Sequence, residues 1–182
     1  MIAGALLEGI STDVRWVLVG VSICLVVVES YGFARLSRQI KATGGPGYNA
    51  FQGLGSAAAV TEALAKWGPS GLAAARKTWK LDLVYPPSYA LVGVLLASLS
   101  ATYARAQDSN WLATAMEVVA WISVAAGATD LLVENPAVAV GLWSSPNDTA
   151  ARVAKVAGRL KLLLLTAVFV TLLLSLLVLL VT

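Results

Sequence analysis

Residues 162–181 read LLLLTAVFVTLLLSLLVLLV, a run without one charged side chain. A hydrocarbon core about 30 Å thick is crossed by roughly 20 helical residues, so a run of this kind is long enough to span a membrane. With the basic foot of this run included, the expected spans are about 16–34, 83–104, 112–143 and 159–182. None shows the period-two alternation of a barrel strand, and their length favours helices. The expected fold is therefore all-α: a four-transmembrane-helix bundle forming a single integral membrane domain over 1–182. Composition agrees, since only 13% of the residues are charged, against about 25% in an average soluble domain. The opening "MIAGALLEGISTDVRW" lacks the basic start of a cleaved signal, so the first span is expected to remain in the mature chain.

Only one connection is long. It opens with "ATGGPGYNAFQGLG", read as a flexible glycine-rich linker and not a phosphate loop, because no Walker-type lysine follows. Residues 56–80 then read as short interfacial helices. Ser56 is the expected N-cap of the first, Gly68 its end, and "PSGLAAARKTWK" the next piece. The turn at "AQDSN" is tight, and in "SSPNDTA" Ser145 and Pro146 are the expected start of the last helix.

Charge sets the expected orientation. Arg35, Arg38, Lys41, Lys66, Arg76, Lys77 and Lys80 lie in the first connection, and Arg152, Lys155, Arg159 and Lys161 lie at the foot of the fourth span. Only Arg15 and Arg105 fall on the other side. Basic loops stay cytoplasmic, so an inner-membrane protein with both termini outside is expected. Trp16, Tyr103 and Trp111 fit an outer aromatic belt, and Tyr31, Trp79 and Trp143 an inner one. The positive charge is then a topology signal with attraction to anionic lipid, not a nucleic-acid footprint.

A charge at mid-membrane costs roughly 2.5–3.5 kcal/mol, while a leucine returns only about 0.5 kcal/mol. Glu29, Asp82, Glu117, Asp130 and Glu134 nonetheless fall in or beside the spans. At 100° per residue, Ser123, Gly127, Asp130 and Glu134 share one face, and small residues mark packed faces of membrane helices. Asp82, Tyr85 and Tyr89 form a second stripe, Gly93, Ala97 and Ala101 a small-residue ridge, and Ser22, Glu29 and Gly32 a third polar face. With the spans oriented as above, Glu29, Asp82, Tyr85, Tyr89, Asp130, Glu134, Asn135 and Lys161 reach a similar depth, and they are the candidate lining of one pocket open to the cytoplasmic side. Glu117 lies toward the other side, expected to be paired or wet. Pro86, Pro87 and Pro136 cannot donate helical hydrogen bonds, so helix breaks are expected at the same depth.

"WKLDLVYPPSY", then "GATDLLVEN", then a lysine opening the last span, resembles an uncharacterised family of small bacterial four-span integral membrane proteins. Their pattern is LD-x-x-(F/Y)P-x-x-Y followed by a D-x-x-E-N-like element. Here the second element is one residue wider, Asp130 to Glu134-Asn135. The resemblance covers about residues 56–165 and implies a fold and a motif, but no activity.

The chain has no histidine, which removes imidazole catalysis and imidazole-held metal or haem, and no metal or other cofactor is expected. Its single cysteine, Cys24, is expected to be a small core residue. The cluster suits a structural clamp or a ligand site. The leading reading is a non-enzymatic protein that binds membrane lipid or a small molecule. The alternatives are a carboxylate-based acid–base or Mg²⁺-dependent enzyme acting on lipid, and a subunit that assembles with itself or other membrane proteins.

Overall fold

The computed structural model describes residues 9–181, with side chains to 178. It contains α1 (Thr12–Lys41), α2 (Tyr48–Gln52), α3 (Ala57–Leu81), α4 (Tyr85–Ala106), α5 (Asn110–Thr129), one π-helical turn (Asp130–Glu134), α6 (Asn135–Trp143) and α7 (Asp148–Val181). No strand occurs among the described residues. Four helical stretches are long and apolar enough to cross a membrane: α1, α3 with α4, α5 through α6, and α7.

Local chemistry explains most boundaries. Ser11 and Ser56 cap α1 and α3 by accepting from the backbone N–H groups of Val14 and Ala59. The break expected at Gly68 is present as a kink within α3: Gly68 has φ +55°, and Pro69 follows. The last helix starts later than Ser145 and Pro146, because the side chain of Asn147 accepts from Ala150 N–H at 2.8 Å and caps it. The glycine-rich linker corrects the expectation further. It holds α2, whose Tyr48 and Phe51 are buried. Phe51 lies 4.6 Å, centroid to centroid, from the buried Trp67, so this part of the interfacial segment turns its aromatic side inward.

Two large apolar cores stack along the bundle, with a smaller third one of Val19, Leu95 and Leu99 between α1 and α4. One of the two large cores, at the basic end, joins Ile40, Tyr48, Phe51, Trp67, Ala75, Val138 and Leu142. The other joins Ala97, Ala101, Ala104, Leu112, Met116, Ala120 and Val168. The small-residue ridge is what brings α4 onto α5, since a Cβ at Gly93 would stand 2.4 Å from Ser123 Oγ. Gly127 is also tight, a Cβ there meeting Ala90 Cβ at 2.9 Å. Helix α1 packs on α3 and α4, and α7 packs on α5, the π turn and α6. Two hollows lie between α1 and α7 over α4, one toward each end of the bundle. The outer surface is strongly apolar: Val17, Val28, Leu132, Leu163 and Phe169 are all exposed, a pattern a water-facing monomer rarely carries. Cys24 belongs to that exposed face and not to the core.

Candidate functional site

The carboxylates sit between the two cores, held by four elements. The π turn carries Asp130 and Glu134. The turn is a consequence of the sequence: Pro136 has no N–H to return to Leu132, and Asn135 N–H bonds instead to the carbonyl of Asp130, five residues back. The wider helical turn aims both acids inward, where each is 1% exposed. Lys161 on α7 reaches both, its Nζ 2.7 Å from Glu134 Oε2 and 3.1 Å from Asp130 Oδ2. Gly158 makes the approach possible, because a Cβ there would stand 2.9 Å from Glu134 Oε1. Tyr89 of α4 donates to Asp130 Oδ2 at 3.0 Å.

Asp82 lies in the turn between α3 and α4. Its Oδ2 accepts from Gln52 Nε2 at 2.8 Å and from the Tyr48 hydroxyl at 3.3 Å. Burial, with the Asp82 charge alongside, holds the Tyr48 phenol above its ordinary pKa, so it remains a donor. Tyr48 and Gln52 were not among the sequence candidates. The signal was available, an aromatic and an amide four apart at i and i+4, but the surrounding glycines masked it.

Pro86 and Pro87 do not interrupt a span. They open α4, at the first turn where a missing N–H costs least. The carbonyl that Pro86 cannot serve, that of Asp82, accepts from Asn135 Nδ2 at 2.8 Å. The same amide approaches Asp130 Oδ1 at 3.5 Å, and the Asn135 carbonyl accepts from Trp79 Nε1 at 2.9 Å. Trp79 is therefore tied inward, packed edge-on against Trp143 at 4.8 Å.

Asp82, Tyr85, Tyr89, Asp130 and Lys161 line one cleft of about 230 Å³, together with Ser30, Phe33, Asn49, Gln52 and Leu165. Glu134 and Lys161 face a second hollow of about 410 Å³ beside it. Asn135 is fully buried beneath the cluster, with its Oδ1 unpartnered. Glu29 departs from the expected constellation. It turns toward Ser88, which donates to Oε1 at 3.1 Å, and it does not line the cleft. Its helical angle places it on the α4-facing side of α1, not on the α7-facing side. Glu117 pairs with Arg105 at the other end. Arg15, read from the sequence as a mark of the outer side, is buried and donates to Ile10 O, Ser98 Oγ and Thr102 Oγ1.

The arrangement combines two carboxyl groups sharing one lysine, a third carboxyl with neutral donors, and an aromatic wall. Phe33 and Tyr85 meet edge to face at 5.2 Å, and Tyr85 and Tyr89 at 5.5 Å. No three acidic or thiol groups are grouped as a metal cage among the described residues. No family model, curated protein or solved structure matches the chain.

Proposed function

We propose that this chain is a bacterial inner-membrane protein that binds a membrane lipid, with the polar head at the acid–tyrosine–lysine cluster and the tail in the apolar groove between α1 and α7. The basic end faces the cytoplasm and both termini lie outside, as the distribution of lysine and arginine favours.

The observation that carries this reading is the pair of hollows between α1 and α7. The polar one is the cleft of Tyr85, Tyr89, Asp130 and Lys161. The other is an apolar groove of about 380 Å³ between Trp16 of α1, Leu96, Leu99 and Tyr103 of α4, and Phe169, Leu172 and Leu176 of α7. From Lys161 to Leu176, at 1.5 Å per residue, the groove side of α7 runs ~22 Å. That exceeds half of a hydrocarbon core of about 30 Å, so one face of α7 can follow an acyl chain through a leaflet. A polar pocket with an apolar groove further along the same pair of helices suits an amphiphile better than a water-soluble molecule.

The test is lipid retention. The full chain, purified in a mild detergent and washed exhaustively, should keep about one phospholipid, read by mass spectrometry of the intact complex. Leu165→Trp fills the cleft mouth without touching the ion pairs and should lose that lipid while melting at the same temperature. Equal retention by wild type and Leu165→Trp, or no retained lipid in either, would overturn the reading. Loss of thermal stability in Asp130→Asn, with lipid retention unaltered, would assign the cluster to holding the helices together.

A further inference from the structure

We infer that the lipid is an aminophospholipid of the ethanolamine type, its phosphate seated on Lys155 and Arg159 and its ammonium directed to Asp82. This rests on the lipid-binding reading above and specifies the headgroup.

Two adjoining hollows of opposite demand motivate it. The second hollow shares Asn49, Gln52 and Lys161 with the acid-lined cleft and adds Lys155 and Arg159. Those two cations are four residues apart on α7, hence on one face. Among the described residues neither has a carboxylate within ion-pair distance, whereas Lys66, Arg105 and Arg152 each have one. Lys161 lies between the hollows but is already committed to Asp130 and Glu134. An arginine and a lysine left unpaired at the lip of this hollow fit a phosphodiester.

Across the shared wall the demand reverses. Asp82 is buried, and both of its side-chain donors, the Tyr48 hydroxyl and the Gln52 amide, are neutral. The same cleft is walled by the rings of Phe33, Tyr85 and Tyr89. Lys161 lines the same cleft but is paired with Asp130 and Glu134, and among the described residues no cation lies within ion-pair distance of Asp82. A carboxylate so placed, beside aromatic faces, favours an ammonium. A primary ammonium can also donate hydrogen bonds to a carboxylate, which the hydroxyls of a glycerol head do without any gain of charge. A headgroup with its amine two carbons beyond the phosphate ester carries one charge for each of the two adjoining hollows.

The test uses the delipidated full chain in detergent, offered equal amounts of phosphatidylethanolamine and phosphatidylglycerol with identical acyl chains, and native mass spectrometry of the complexes. Phosphatidylethanolamine should be retained at least tenfold over phosphatidylglycerol. The double variant Lys155→Ala/Arg159→Ala should weaken both lipids by a similar factor. Asp82→Asn should bring the ratio toward one while total lipid persists. Because Asp82 is buried, Asn49→Lys at the exposed mouth supplies a second variant, which should lower the same ratio by repelling the ammonium. Equal retention of the two lipids by the wild type overturns the headgroup inference and leaves lipid binding standing. Unchanged retention in the Lys155/Arg159 variant overturns the phosphate seat. Retention of neither lipid overturns both this inference and the function on which it rests.

Discussion

The side-chain amide of Asn135 donates to the backbone carbonyl of Asp82 at 2.8 Å, across 53 positions of sequence. Pro86 stands four residues after Asp82 and has no N–H to give that carbonyl. The amide of one helix break thus supplies the donor missing at another, and the two breaks are held at the same level of the bundle. A buried carbonyl left without a donor costs about 1–3 kcal/mol.

That geometry predicts a compensating pair. Asn135→Leu should lower stability by about 1–3 kcal/mol, read as a fall in the thermal midpoint in detergent. Pro86→Ala restores an N–H four residues after Asp82 and should recover part of the loss in the Asn135→Leu background. If Pro86→Ala adds its own loss to that of Asn135→Leu, the two positions are not linked through this carbonyl.

Lys161 is the only cation in ion-pair distance of Asp130 and Glu134 among the described residues. Removing one partner of a buried pair costs about 3–5 kcal/mol, whereas replacing the whole group by neutral residues costs far less. Lys161→Met should therefore melt well below wild type. The triple variant Lys161→Met/Asp130→Asn/Glu134→Gln should return most of the way, and thermal unfolding of the three proteins side by side measures it.

The α4–α5 contact makes a steric prediction. Gly93→Val should destabilise by about 1–3 kcal/mol, as overpacking does, because Ser123 already occupies the space a Cβ needs. Ser123→Gly in the same chain should relieve much of that cost. A double-mutant cycle on thermal midpoints would show the coupling, and simple additivity would contradict the close approach.

The proposed orientation is open to labelling. In a Cys24→Ser background, Lys66→Cys and Ser145→Cys at exposed positions of the basic end should resist a membrane-impermeant maleimide in intact cells and react once the membrane is opened. Asn110→Cys, in the exposed turn at the opposite end, should react in intact cells. The reverse pattern would invert the topology.

Much of the helical skeleton was legible because apolar run length and small-residue spacing act locally. The faces of Gly93 and Ala97 followed from helical periodicity alone, while Asp130 and Glu134 owe theirs also to the π turn before Pro136. The helix start at Asn147 and the helix inside the glycine-rich linker were not legible. An Asn, a Ser and a Pro compete for the cap within three positions, and five residues of helix carry no periodicity of their own. Tyr48 and Gln52 came to the site only because α2 folds back beneath Asp82.

The sequence by itself determined that four long apolar helices form and that carboxylates, tyrosines and a lysine sit at comparable positions along them, since each of these depends on residues within a turn or two of one another. Only the tertiary structure decided which of those groups meet. Glu29 and Asp82 begin from similar expected depth, yet Glu29 closes on Ser88 while Asp82 opens into the cleft. That choice rests on how α1 and α7 settle and rotate against α4. Such rotations depend on contacts dozens of residues away, which no local pattern encodes.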